Sequence, residues 1–205
     1  FPLSPLSPSP LFITGWECIT SDDIEYIVNL NGAKTNLKYT KSSFRFLNHL
    51  IVLSATLSSC HLGFASVHQA FLCVAKKLNQ PPFGVLVLAL ETHDDLDIPK
   101  EALRLINSLL EYAPTDPIRT FILTSLNSLH FRKAMRRCLT IHDAEMMAEC
   151  ARYQELRFKW LEDAAGIMYN SNNPEHESLL MEYWSNVFPK QPIQARISQQ
   201  WDMLG

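Results

Sequence analysis

The sequence predicts an all-α fold, and three observations lead to it. Apolar residues recur at three- and four-residue intervals along most of the chain, the spacing that lines one face of a helix. Proline, glycine and cap-forming Ser, Thr, Asp and Asn punctuate those runs where helices start and stop. The clearest punctuation is Glu101–Asp116 (EALRLINSLLEYAPTD) followed by Pro117. Leu103, Ile106, Leu109 and Leu110 share a face there, and Pro114 ends the helix. Asp116 then stands as N-cap with Pro117 at the first helical position, where its missing N–H costs nothing. Stacked helix pairs of this kind build an armadillo-like helical repeat array, an α-solenoid, which presents an extended binding surface. No strict repeat of about 40 residues is present, but the corners are spaced as degenerate helical repeats would space them.

Residues 1–20 are expected to be a disordered linker, because FPLSPLSPSP is rich in Pro and Ser. Pro5 and Pro8 have the P-x-x-P spacing that SH3 domains dock, without a flanking Lys or Arg to reinforce it. A first helix over residues 21–31 has Ser21 or Asp22 as cap, Glu25 as capping-box partner and Gly32 as terminator. Asn29–Ser43 is polar and Lys-bearing and reads as a loop. Residues 43–60 read as a long helix with Phe44, Leu47, Ile51 and Ser54 on one face. Leu50 and Leu53 widen that face, so this helix is expected at the centre. Gly63 closes it, and Ser66–Leu78 buries Val67, Ala70, Phe71, Val74 and Leu78. Gly84–Leu90 (GVLVLAL) fits strand or helix by pattern; helix is expected because a lone strand would have no partner. Helices at 99–112 and 117–138 follow, the second breaking near Asn127-Ser128. Thr140 caps a long helix reaching about Tyr169, with a seam of Met146, Cys150, Tyr153, Trp160, Ala164 and Ile167. Asn173-Pro174-Glu175 signals a last helix through Leu179, Leu180, Tyr183, Trp184 and Val187, stopped by Pro189.

Composition narrows the function classes. With 47% hydrophobic and 19% charged residues, the chain has the means to bury a core. Its 205 residues suit one large domain or two small ones. A net charge of −3 gives no global pull toward nucleic acid or anionic membrane. The 5 cysteines are odd in number and form no Cys-x-x-Cys pair, which suits buried free thiols in a reducing, cytoplasmic compartment. Phe46–Ala65 approaches bilayer-spanning length but contains Asn48, His49, Ser54 and His61, so it reads as a buried helix and no integral membrane span is expected. The amino terminus lacks a basic region before its apolar residues, and Phe1 is not an initiator methionine, so the sequence reads as a fragment.

The motifs of catalysis are missing. The glycines are isolated, so no G-x-G-x-x-G, P-loop or G-x-S-x-G elbow can be built. Cys60, His61, His68 and Cys73 lack the paired spacing of a zinc site and read as core or surface residues with satisfied histidines. His93-Asp94-Asp95-Leu96-Asp97 lacks the central Gly and terminal Glu of a calcium loop and reads as a solvated corner that helps cap the next helix. No catalytic residue, metal or cofactor is expected. The candidate binding residues are Arg132, Lys133, Arg136 and Arg137, which share a helical face near a C-terminus, where the macrodipole favours cations. Such a face is solvated, meets an acidic surface on a partner protein, or meets phosphoinositide or RNA; the following helix, with Asp143, Glu145, Glu149 and Glu155, offers an acidic neighbour within the chain. Trp160, Tyr183, Trp184, Phe188 and Trp201 serve core packing or, where exposed, an interface. A helical enzyme or cofactor-binding domain is the competing class, and its mark would be a deep polar pocket with converging ionisable side chains.

Two segments carry a family resemblance. ALRLINSLLEYAPTDPIRTFIL resembles the helix corner of ELMO (engulfment and cell motility) proteins, where an "INAL…AP" corner leads into a helical extension. Gln200-Trp201-Asp202-Met203-Leu204-Gly205 resembles the opening of the ELMO domain around its Trp- or Tyr-x-x-Leu-Gly motif. RFKWLED at 157–163 and LLMEYW at 179–184 lie in the matching order between them. The resemblance covers about Glu101–Gly205. It implies an armadillo-like helical domain over 21–188, then a linker and the first turn of a following domain over 189–205. It further implies a non-enzymatic scaffold that works with DOCK-type exchange factors, a small GTPase or a receptor tail in Rac signalling. Actin remodelling and phagocytosis follow, in the cytoplasm and by recruitment to the plasma membrane. Nothing here resembles that family's Ras-binding domain, PH domain or proline-rich tail. Diaphanous-related formins are a second resemblance, through LINSLL at 105–110 and the Arg132–Arg137 helix, and imply an inhibitory, GTPase-binding region. The Trp-Asp-Met-Leu-Gly ending favours ELMO.

Overall fold

The computed structural model describes residues 19–32, 37–56, 63–91, 95–166, 168–170 and 172–189. Among them are α1 (Ser21–Gly32), α2 (Leu37–Thr56), α3 (Phe64–Leu78), α4 (Gly84–Leu90), α5 (Asp97–Glu111), α6 (Asp116–Ser128), α7 (Phe131–Cys138), α8 (Ala144–Ala165) and α9 (Pro174–Val187). No strand occurs among the described residues, so the GVLVLAL run is helical as expected. The expectations for Pro5–Pro8, Cys18, Cys60, His61, His93, Asp94, Ile167 and Trp201 lie outside the described residues. The chain divides into two compact units, Phe1–Phe158 and Lys159–Gly205.

In the first unit, α1 packs on α3 and α2, α2 on α5, α4 on α5 and α7, and α6 on α5 and α7. Local chemistry sets the ends. The cap of α1 is Thr20, one residue before the expected Ser21. Thr20 Oγ1 accepts from Asp23 N at 3.2 Å, and the Asp23 carboxylate accepts from Thr20 N at 2.8 Å, a reciprocal pair that replaces the expected Glu25. α2 starts at Leu37, well inside the stretch expected as a loop. Tertiary packing explains the difference: Thr40 and Ser43 are small enough to be buried on the face of Phe44 and Leu47, while Lys41 and Arg45 pair with acids on α5. Gly63 precedes α3, where α2 passes close: a Cβ there would stand 1.9 Å from Ser54 Oγ and 2.3 Å from Ser54 Cβ. α3 closes on Asn79 in the left-handed region, with Gln80 N donating to Ala75 O at 2.8 Å. Ala75 joins the core there and Leu78, expected inside, is exposed.

The central helix is α5 rather than α2. From Ile98 to Leu110 every residue except Lys100 and Arg104 is buried, including the polar Glu101, Asn107 and Ser108. The α5–α6 corner has the expected form shifted by one residue: Thr115 takes the cap position and Asp116 is the first helical residue, with Pro117 behind it. Arg119 locks the corner. Its Nε donates to Leu110 O at 3.0 Å and its Nη1 to Asp116 Oδ1 at 2.6 Å, so an orphan carbonyl at the end of α5 finds a partner. α6 runs through the expected break at Asn127-Ser128 and parts from α7 two residues later, at His130, whose φ of 59° reverses the chain. α8 is capped by Asp143, which accepts from Met146 N at 2.9 Å, whereas the expected cap Thr140 donates back to Arg137 O. It ends at Ala165, before Gly166, not at Tyr169.

In the second unit the Asn173-Pro174 start is realised, with Asn173 Oδ1 accepting from Glu175 N at 2.9 Å. Trp184 is buried and packs on Phe188 with ring centroids 4.6 Å apart. Leu179, Tyr183 and Val187, expected on the buried face, are exposed.

Candidate functional site

α7 is a short amphipathic helix whose inward face is Phe131, Ala134, Met135 and Cys138, at i, i+3, i+4 and i+7. That spacing turns Arg132, Lys133 and Arg136 to solvent. Arg137 is different. It is half-buried, and its Nη1 donates to the carbonyl of Glu91 at the end of α4, so it caps that helix. The structure therefore keeps three of the four candidate cations together on one exposed face and gives the fourth to the fold.

The acids of α8 do not meet this face. Asp143 and Glu145 lie 3.5 Å and 3.4 Å from Lys100 Nζ on α5. Glu145 and Glu149 lie 3.3 Å and 3.2 Å from the Arg104 guanidinium. Asn107 Nδ2 donates to the Glu149 side chain at 2.8 Å and to its backbone carbonyl at 3.0 Å. Glu101, on the opposite side of Arg104, accepts from Arg45 of α2. A charged seam thus joins α2, α5 and α8, and it consumes Asp143, Glu145 and Glu149. Lys41 first, then Lys100, hold the Asp97 carboxyl down at about 2. Sequence reading passed over Glu101, Arg104 and Asn107; the available signal was a run of polar residues at three-residue spacing within an otherwise apolar helix. Arg132, Lys133 and Arg136 form no ion pair among the described residues.

Elsewhere the described residues offer little chemistry. Cys138 and Cys150 are buried, and burial pushes the Cys150 thiol up to about 11, the signature of unreactive core thiols. His68 is stacked on Phe64 at 5.4 Å and lies near Phe83 and Phe121 at 6.0 Å and 6.2 Å. Its Nε2 is buried without a hydrogen-bond partner, so it is not the satisfied histidine the sequence suggested. Among the described residues no group of His, Cys, Asp and Glu is placed to hold a metal ion. A crevice of about 20 Å³ lined by Val28, Phe71, Val74, Pro81 and Phe83 has room for a water, not for a substrate. No helix among the described residues is long and apolar enough to cross a membrane.

The chain is thus all-helical through its described residues. Residues 159–205 match the ELMO/CED-12 family. "ELMO domain-containing protein A" of Dictyostelium discoideum is 34% identical over 53 residues, 26% of this chain and 5% of that protein. Human "ELMO domain-containing protein 2" is 46% identical over 37 residues, 18% of this chain and 13% of that protein. The mouse protein of the same name is 26% identical over 114 residues, 56% of this chain and 36% of that protein. The chain therefore spans well under two thirds of the length of these relatives. The family match decides between the two resemblances in favour of ELMO.

Proposed function

We propose that this chain is a non-enzymatic interaction module: an armadillo-like helical domain that leads into an ELMO-family segment and contacts an acidic partner surface through α7. The family segment begins in this reading at residue 159, within α8, where the second compact unit also begins. The resemblance supplies the partners. They are a DOCK-type exchange factor together with a small GTPase or receptor tail, acting in Rac signalling and actin remodelling at the cytoplasmic side of the plasma membrane.

One observation carries the reading. The bases of α5 are paired with acids of its own unit, while Arg132, Lys133 and Arg136 are exposed and their charge is unspent. Exposed cations of this kind speed and orient encounter more than they add affinity, and their effect fades over about 10 Å at moderate salt. The test is a pull-down of a DOCK-type exchange factor by the chain carrying Arg132→Glu, Lys133→Glu and Arg136→Glu. Capture is expected to be lost, helical content to be retained, and wild-type capture to weaken with added salt. Undiminished capture by the folded triple variant would show the reading to be wrong. Arg137 is left intact because its role is to hold α4.

A further inference from the structure

We propose that the junction of α7 and α8 is a phosphate-recognition site, in which Arg132 and Arg157 grip a phosphate and the Tyr153 hydroxyl donates to it, the ligand being a phosphorylated segment of a partner protein. This rests on α7 as the anion-facing surface and adds a ligand class and two α8 residues to it.

The geometry starts from Phe131 and Tyr153. Their rings pack with centroids 5.0 Å apart at 58°, which pins the first residue of α7 against the middle of α8. Arg132 follows Phe131 directly, and Arg157 lies one helical turn beyond Tyr153 on the same face of α8. One arginine from each helix therefore neighbours this ring pair in its own helix. Tyr153 is only 6% exposed, yet its hydroxyl makes no hydrogen bond among the described residues. A buried tyrosine ordinarily finds a partner for that group. The hydroxyl is not among the fully enclosed polar atoms. Arg157 is half-buried and forms no ion pair among the described residues. Burial raises the Tyr153 pKa, and Arg157 and then Arg132 work against that rise, which puts both charges within Coulombic reach of the phenol.

Two planar forks and one hydroxyl suit a tetrahedral dianion better than a single carboxylate, which offers fewer acceptor oxygens. A protein-borne phosphate suits the site better than a bilayer. The chain carries a net charge of −3, so a broad anionic plane would meet repulsion that a single phosphate avoids.

The test uses the 205-residue chain with its arginine side chains isotope-labelled for NMR. It is titrated with N-acetyl-phosphoserine amide and, at matched ionic strength, with N-acetyl-glutamate amide. Saturable shifts at Arg132 and Arg157 are expected, with phosphoserine bound about tenfold more tightly than glutamate. Tyr153→Phe, which keeps the ring packing, should weaken phosphoserine about fivefold. Arg157→Lys, which keeps the charge but not the fork, should lose most of the preference for phosphate. Equal, non-saturating shifts with both probes would overturn the site while leaving the α7 reading to its pull-down. Binding to phosphatidylserine vesicles that ignores Tyr153→Phe and is not displaced by phosphoserine would overturn it in favour of a membrane.

Discussion

Replacing Glu101 by glutamine removes one charge from the α2–α5–α8 seam and keeps the side-chain shape. The Glu101 side chain is 3% exposed, so water does little to compensate it. Its Oε1 accepts from Arg45 Nε at 3.0 Å, Arg45 Nη2 at 2.6 Å and Arg104 Nη1 at 3.2 Å. A hydrogen bond to a charged group is worth about 1.5–3 kcal/mol, and a neutral acceptor retains about half of it. Arg45 is half exposed, so its share is discounted toward the surface-pair value of about 0–1 kcal/mol. The expected cost of Glu101→Gln is then roughly 2–3 kcal/mol, a fall in Tm of about 4–10 °C. Urea unfolding followed by far-UV circular dichroism measures it, with the slope unchanged. A double-mutant cycle with Arg45→Gln should give a coupling of about 1–2 kcal/mol. A cost below about 0.5 kcal/mol, or additivity within about that margin, would refute the claim that the pair fastens α2 to α5.

Three further outcomes follow from the same contacts. Asp97 titrates at about 2 in the folded chain against an ordinary 3.8, so its stabilisation is present above the ordinary value and is lost as pH falls toward the folded one. Asp97→Asn should flatten the acid limb of a urea-midpoint curve there, and parallel curves would contradict the pairing with Lys41 and Lys100. Burial lowers the His68 pKa below 6.5, so the unfolded chain takes the proton first and stability drops as pH falls through that value. His68→Phe should remove that drop, and a variant that keeps the slope would place its origin elsewhere. Gly63→Ala should cost about 1–3 kcal/mol through the contact with Ser54, and much less in a Ser54→Gly background; equal costs in both would dismiss the close approach.

Local chemistry was legible in the sequence to the extent that it acts over a few residues. The Pro114–Pro117 corner, the break after Ser128 and the Asn173-Pro174 start depend on backbone groups and side chains within one turn, and all three lie within two residues of where the sequence puts them. Caps moved by one residue, to Thr20 and Thr115, and from Thr140 to Asp143, because neighbouring polar residues compete for the same donors. The α2 start was illegible: Thr40, Lys41 and Ser43 read as loop until α5 supplies Asp97 and a surface to pack on.

The candidate site divides in the same way. The sequence by itself determined that Arg132, Lys133, Arg136 and Arg137 share a helix and that no motif for phosphate, zinc or acyl chemistry is present. It also carried the ELMO resemblance, whose closing motifs lie largely within the matched residues 159–205. Only the tertiary structure decided which charges are free. Helical periodicity fixes what lies within a turn, but ion pairing depends on which helix comes alongside. α5 drew Asp143, Glu145 and Glu149 to Lys100 and Arg104, the end of α4 drew Arg137, and the remaining cations of α7 stayed exposed.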